Sequence, residues 1–304
     1  MSNLAPDTTS ACPEGASGGA IARLLQPREK PLGGFSVRRA LPTAQQRMVG
    51  PWIFFDHMGP ADFAAGQGID VRPHPHIGLA TVTYLFEGEI LHRDSLGSEQ
   101  AIRPGDINLM VCGRGIVHSE RETPQQRARA HRLDGLQLWL ALPADDEEAE
   151  PEFLHYPAAD IPSTRVNGVP LRVMMGTAYG LRSPVRTYAP TLYVEAELAA
   201  GQSLVLPEAP ERAVYLARGS AQIDGEAVPE HALAVLHPGP ATLLRARTAA
   251  RIALIGGAPV GRRYIEWNFV SSRPDRIAQA KRDWAGGRFP RVPGDSEEFI
   301  PLPG

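Results

Sequence analysis

At 304 residues, 43% of them hydrophobic, the chain is too long for one ordinary core and apolar enough for two packed domains of moderate size. A formal net charge of −3 gives no electrostatic case for direct nucleic-acid binding, and no run of about 18 apolar residues offers a membrane span. Two cysteines, Cys12 and Cys112, make no disulfide framework and fit a reducing, cytoplasmic setting.

In chain order, Met1 to Ala20 is small and polar, lacks a secretory pattern and is expected to be disordered. With the following lead-in it is set apart as a flexible tail, residues 1–33. Strand signals begin at Gly34-Phe35-Ser36-Val37 and continue at Trp52-Ile53-Phe54-Phe55, Ala80 to Phe86, Ile107 to Val111 and Leu136 to Leu140. Each is short, rich in β-branched or aromatic residues, and bounded by Gly, Pro or Asp. They define a first barrel over residues 34–143. The arginines between Arg121 and Arg132 are interrupted by polar and acidic residues and read as a solvated rim. An acidic, proline-bounded stretch then predicts a linker at residues 144–152.

The strand pattern resumes at Leu192 to Ala196, Ala213 to Ala217, Leu233 to Leu236 and Arg251 to Ile255, giving a second domain over residues 153–304. Tyr84-Leu85-Phe86-Glu87-Gly88 and Tyr215-Leu216-Ala217-Arg218-Gly219 both run from an aromatic-apolar strand into a glycine turn, a weak internal repeat. The fold class predicted is therefore all-β, with two similar antiparallel barrels. One helix is expected near the C-terminus. Ser272 and Asp275 have the spacing of a capping box, Ile277, Ala280 and Trp284 share one face, and Gly286-Gly287 stops it.

The chemistry concentrates between Gly68 and Glu122. His74-Pro75-His76 and His118-Ser119-Glu120 each place two ligand-type side chains at i and i+2, on one face of a strand. If the two strands sit opposite one another, three imidazoles and one carboxylate converge. That set suits a borderline divalent transition metal, and neither calcium nor a soft thiolate site. His57, His92, His131, His155, His231 and His237 have no such partner and read as surface or core residues. Cys112 reads as a small buried hydrophobe.

The spacing resembles the cupin motifs. The first has glycine, five residues, His-x-His, three or four residues, an acid, six residues and glycine. Here Gly68, His74, His76 and Gly88 keep that spacing, with Thr81 in the acid's place. The second motif, proline-x-glycine and two residues before histidine, is matched by Gly113, Gly115 and His118, with glycine for proline. The missing acid is replaced by Glu120, and in this the sequence resembles the pirin family. The stretch from His74 to Glu120, HPHIGLATVTYLFEGEILHRDSLGSEQAIRPGDINLMVCGRGIVHSE, carries most of the likeness. SVRRALP, PWIFFDHMGP, GLQLWLALP and WNFVSSRPDRIAQAKRDWAGGRF add to it, so that it spans Gly34 to Phe289.

The resemblance implies a bicupin with His74, His76, His118 and Glu120 as ligands of one metal in the first barrel, and a second barrel without one. It implies iron as the usual metal, with manganese, nickel, cobalt, copper or zinc as other occupants. The activity implied is quercetin 2,3-dioxygenase, with a flavonol and O₂ as substrates and Glu120 as catalytic base. Phe54, Phe55, Leu79, Thr83 and Leu85 are expected at the mouth. The alternative is a metal- and redox-sensing protein that acts on a protein partner.

Overall fold

The computed structural model describes residues 19–32, 34–239 and 241–303. Among them strands dominate, with two helices, Pro124–Arg127 and Pro274–Ala285. Residues 1–18, including Cys12 and most of the expected disordered tail, lie outside the described residues.

Each half folds as a seven-stranded and a four-stranded antiparallel sheet. In the first half the larger sheet runs, in hydrogen-bonded order, Glu152–Tyr156, Ile107–Val111, Leu79–Glu87, His131–Ala141, Trp52–Phe63, Phe35–Leu41 and Arg28–Leu32. The smaller runs Val71–His76, Ile116–Arg121, Ile90–Asp94 and Glu99–Ile102. In the second half the larger order is Ile21–Leu25, Leu233–Leu236, Glu211–Arg218, Ala250–Gly257, Thr191–Leu198, Val169–Met175 and Ser163–Val166. The smaller order is Ser203–Leu206, Thr242–Ala246, Ala221–Ile223 and Glu226–Val228. The two halves thus repeat one plan, and the glycine-turn repeat falls at equivalent places. Leu79–Glu87 and Glu211–Arg218 are each third in their sheet. Gly88 and Gly219 follow them at φ +94° and +89°, where a side chain would strike the backbone of the next strand over.

The seven-stranded sheets share the largest core. Side chains alternate along a strand, so Leu136, Leu138 and Leu140 face the second half while Trp139 and Ala141 face into the first barrel. Trp52, Phe55, Val82 and Tyr84 from the first half pack with Tyr193, Tyr215, Ala253 and Ile255 from the second. The Trp52 indole N–H donates to the carbonyls of Leu192 and Gly256, at 3.2 and 3.0 Å.

The chain exchanges its ends between the halves, which corrects the expected boundaries. Residues 21–32, expected within the flexible lead-in, contain two strands. Ile21–Leu25 pairs with Leu233–Leu236 in the second sheet, and Arg28–Leu32 pairs with Phe35–Leu41 in the first. The strand Glu152–Tyr156 belongs to the first sheet through Ile107–Val111, past the expected linker. The linker itself is pinned: buried Glu147 accepts from the hydroxyls of Ser271 and Ser272 and from the Ser272 N–H, at 2.8–3.0 Å. That bond also corrects the helix cap. Ser272 is committed to Glu147, the cap position is Arg273, and no side chain caps the helix. The helix face is as expected, with Ile277 and Ala280 buried, and Gly286-Gly287 ends it.

Candidate metal centre

The strands Val71–His76 and Ile116–Arg121 are direct antiparallel neighbours, and His118 lies opposite His74. This register brings together three imidazoles whose ligand nitrogens all lie within 4.8 Å of one another: His74, His76 and His118. Their ring centroids stand 4.4–5.0 Å apart. All three are buried, at 6%, 1% and 1% exposure, too little for water to hydrate them.

Hydrogen bonds fix the orientation of two rings. The Nδ1 of His74 is 2.8 Å from the Arg72 carbonyl, and the Nδ1 of His76 is 3.2 Å from the Asn268 carbonyl. A carbonyl can only accept, so each Nδ1 carries the proton and each Nε2 keeps a bare lone pair. The Nε2 of His76 lies 3.1 Å from the Nε2 of His118, while the Nδ1 of His118 is buried with no partner. Burial pushes the basicity of His74 down to about 4, against the weaker pull of its bond to Arg72. Burial, with the neighbouring imidazoles, holds His76 and His118 well below the ordinary histidine range. Three neutral, inward-facing imidazoles are what a metal ion requires of its ligands.

Glu120 follows on the same strand, opposite His92 on one side. On the other side the register shifts between His118 and Glu120, which sets Glu120 against Val71. The structure therefore brings the three histidines together and leaves the Glu120 carboxylate outside that tight group. It is 7% exposed, and burial raises its pKa to about 7.

The walls are aromatic. Trp139 stands edge-on to His76 at 5.0 Å, Phe54 stacks on Trp139 at 3.9 Å, and the Arg39 guanidinium lies over Phe54 while pairing with Asp56. Phe153 stacks on His92 at 4.2 Å, and His92 binds Asp94 at 2.9 Å. Of the expected mouth residues, Phe54 and Leu79 pack with Trp139. Phe55 does not face the site. Its neighbour Phe54 takes the inward face, so Phe55 turns to the other barrel and meets Tyr215 at 4.7 Å. Leu85 packs with Val71 and Leu133, and Thr83 donates to Gln137. Trp139 and Phe153 were not singled out from the sequence. The alternation Leu138-Trp139-Leu140 could have marked Trp139 as inward-facing, whereas nothing local marks Phe153.

Three further histidines have structural partners. His57 bridges Asp134 and Tyr215, His131 binds Glu122, and His155 binds Asn108. Cys112 is wholly buried, and burial pushes its thiol well above the ordinary range, as befits a small apolar side chain.

Comparison with known proteins bears on the family and the fold. The Pirin family model matches residues 34–140, and the Pirin C-terminal cupin domain matches residues 193–290. A pirin-like protein of Caulobacter vibrioides is 50% identical over 287 residues, covering 93% of this chain and 99% of the relative. This chain belongs to the pirin family. A Pseudomonas aeruginosa protein named "Putative quercetin 2,3-dioxygenase" is 41% identical over 86% of this chain and 82% of its own. Among solved structures, a quercetin 2,3-dioxygenase from Acinetobacter baumannii superposes with a TM-score of 0.87 at 34% identity, covering 93% of this chain and 95% of that one. The all-β, two-cupin architecture is thus that of the pirin family.

Proposed function

We propose that the chain is a metal-dependent dioxygenase of the quercetin 2,3-dioxygenase type, acting on a flavonol and O₂, with one transition metal, iron first, held by His74, His76, His118 and Glu120. The observation that carries this reading is the pair of imidazole Nε2 atoms 3.1 Å apart, at the heart of a buried three-histidine group. At that distance either the neutral His118 ring carries its proton on Nε2 and donates to His76, or a cation lies between the two lone pairs; the convergence of a third buried imidazole, His74, favours the cation. A bound divalent metal would supply the positive charge that acidifies a flavonol 3-hydroxyl.

Glu120 would complete the ligand set and take that proton on its carboxylate. A metal beside it would lower its carboxyl from about 7, leaving the carboxylate ionised and able to accept a proton at neutral pH, and its burial removes water as a competitor. Trp139, Phe54 and Phe153 give the surroundings of the histidines an aromatic, apolar character that suits an aromatic substrate. The relative and the structure that carry the quercetin 2,3-dioxygenase name support the same reaction class.

One observation favours a second reading. The histidines and Glu120 are all at most 7% exposed, so a flavonol could reach the centre only through an opening in its walls. A closed redox-active metal that changes a surface for a protein partner needs no such opening. Oxygen uptake by metal-loaded protein with quercetin separates the two. Sustained, flavonol-dependent O₂ consumption supports the dioxygenase. Fully loaded protein with no uptake under iron, manganese, nickel, cobalt, copper or zinc discards it in favour of the sensor.

A further inference from the structure

Two of the three clustered histidines sit on an edge strand. Val71–His76 has Ile116–Arg121 on one side and no strand of its own sheet on the other. An open edge leaves backbone groups unpaired and the strand poorly held. Here the C-terminal segment, residues 264–303, lies along that edge. The Ile300 N–H donates to the Pro73 carbonyl at 2.8 Å, and the Val270 N–H donates to the Ile77 carbonyl at 3.1 Å. These two bonds bracket the His74–His76 pair, and between them the Asn268 carbonyl accepts from His76 Nδ1.

Packing holds the segment there. Ile77 forms a β-bridge with Phe269 and is buried with it, Ile277 and Ala280 in a small core flanked by Trp284 and Phe289. Gly78, at φ +68°, leaves the Val270 carbonyl only 2.0 Å from where a Cβ would stand, so the approach depends on glycine. Farther along, Arg121, the neighbour of Glu120, pairs with Asp295 at 2.7 Å.

We infer that the C-terminal segment is a clasp on the metal centre, so that its docking and the retention of metal are coupled. The inference rests on the metal reading proposed above. The Asn268 carbonyl sets the His76 tautomer, and the bracketing bonds hold the strand that presents both ligands. Hydrogen bonds of this kind to a ligating imidazole typically govern metal affinity by about 10–100-fold. Coupling between two sites is reciprocal. A loosened clasp releases metal faster, and an empty centre leaves the clasp looser.

The test uses full-length protein loaded with cobalt(II), whose absorption reports ligand geometry. Two variants weaken the clasp from different points: Ile300→Pro removes the N–H donor to Pro73, and Asp295→Asn weakens the pair with Arg121. Cobalt loss to excess chelator should be about 10–100-fold faster in Ile300→Pro, with shifted absorption bands, and faster by a smaller factor in Asp295→Asn. In wild type, trypsin should cut at the exposed Arg288 and Arg291 faster without metal than with it. A variant whose clasp is cut more readily but which releases cobalt at the wild-type rate overturns the inference while leaving the metal reading intact. So does equal cleavage of the empty and loaded wild type. Wild-type protein that takes up no cobalt overturns the metal reading and the clasp with it. Should Ile300→Pro fail to fold, Asp295→Asn carries the same comparison.

Discussion

In the first barrel, the edge strand of the four-stranded sheet carries His74 and His76, and its neighbour carries His118 and Glu120. In the second barrel the strands Ser203–Leu206 and Thr242–Ala246 take the same two places. There, Leu204 and Leu206 stand on one strand and Leu244 and Ala246 on the other, all buried in a shared apolar core. One scaffold therefore has two interiors. Apolar filling stabilises the second barrel directly by removing surface from water. The first barrel gives up part of that gain to hold neutral imidazoles and a carboxylate without water, an arrangement that a bound cation would offset. The second barrel contributes packing across the shared sheet face, where Trp52, Tyr193 and Tyr215 meet.

The largest contrast should come from removing one ligand. His118→Ala should abolish both metal uptake and flavonol turnover, and should lower the melting temperature of the metal-supplemented protein to that of the metal-free wild type. Ligand at about 100 times its Kd adds about 2.7 kcal/mol to the native state. Retention of turnover in this variant breaks the contrast at once.

Glu120→Gln should separate holding metal from moving a proton. With metal restored to full occupancy, turnover at neutral pH should fall about 10²–10⁴-fold. The deficit should shrink as pH rises and the flavonol ionises unaided. A metal-replete variant with wild-type turnover removes the base role and leaves Glu120 as at most a ligand.

Leu244→Ala tests the other interior. Truncating a buried leucine costs about 2–5 kcal/mol, so denaturant unfolding should show a loss in that range with metal stoichiometry unchanged. A loss of metal here would mean that the two interiors are not separable.

The smallest effect is a pH slope in the metal-free protein. His74, His76 and His118 have native basicities below their unfolded values, so between about pH 6.5 and pH 4 the unfolded chain binds more protons and stability falls as pH drops. Glu120 acts oppositely, because its native pKa of about 7 stands above the unfolded value near 4.5, and alone it would lower stability as pH rises between those values. Three groups against one predict a net loss on acidification. Replacing the three histidines by leucine, the residue type of the second barrel, should reverse the slope that these four groups contribute. An unchanged urea midpoint between pH 7 and pH 5 in both proteins contradicts this assignment.

Much of this was legible in the sequence because it is local. Strand parity places His74 with His76, and the glycine at the end of each repeat marks the same turn in both barrels. Parity also rules out Phe54 and Phe55 facing the same side. What stayed hidden depends on partners far along the chain. Ile21–Leu25 looks like part of a tail until Leu233–Leu236 lies beside it. Glu147 looks like one more acid in a solvated linker until Ser271 and Ser272 reach it. The support of His76 by Asn268 comes from a main-chain carbonyl, which every residue possesses and no motif can mark. The offset of Glu120 from the histidine group follows from a register shift between paired strands, which one strand's sequence does not encode.

The most direct test is elemental analysis of protein purified without an affinity tag, wild type beside a His74→Ala/His76→Ala double variant. One transition metal per chain is expected in the wild type and close to none in the variant. Stoichiometric metal persisting in the double variant would contradict it.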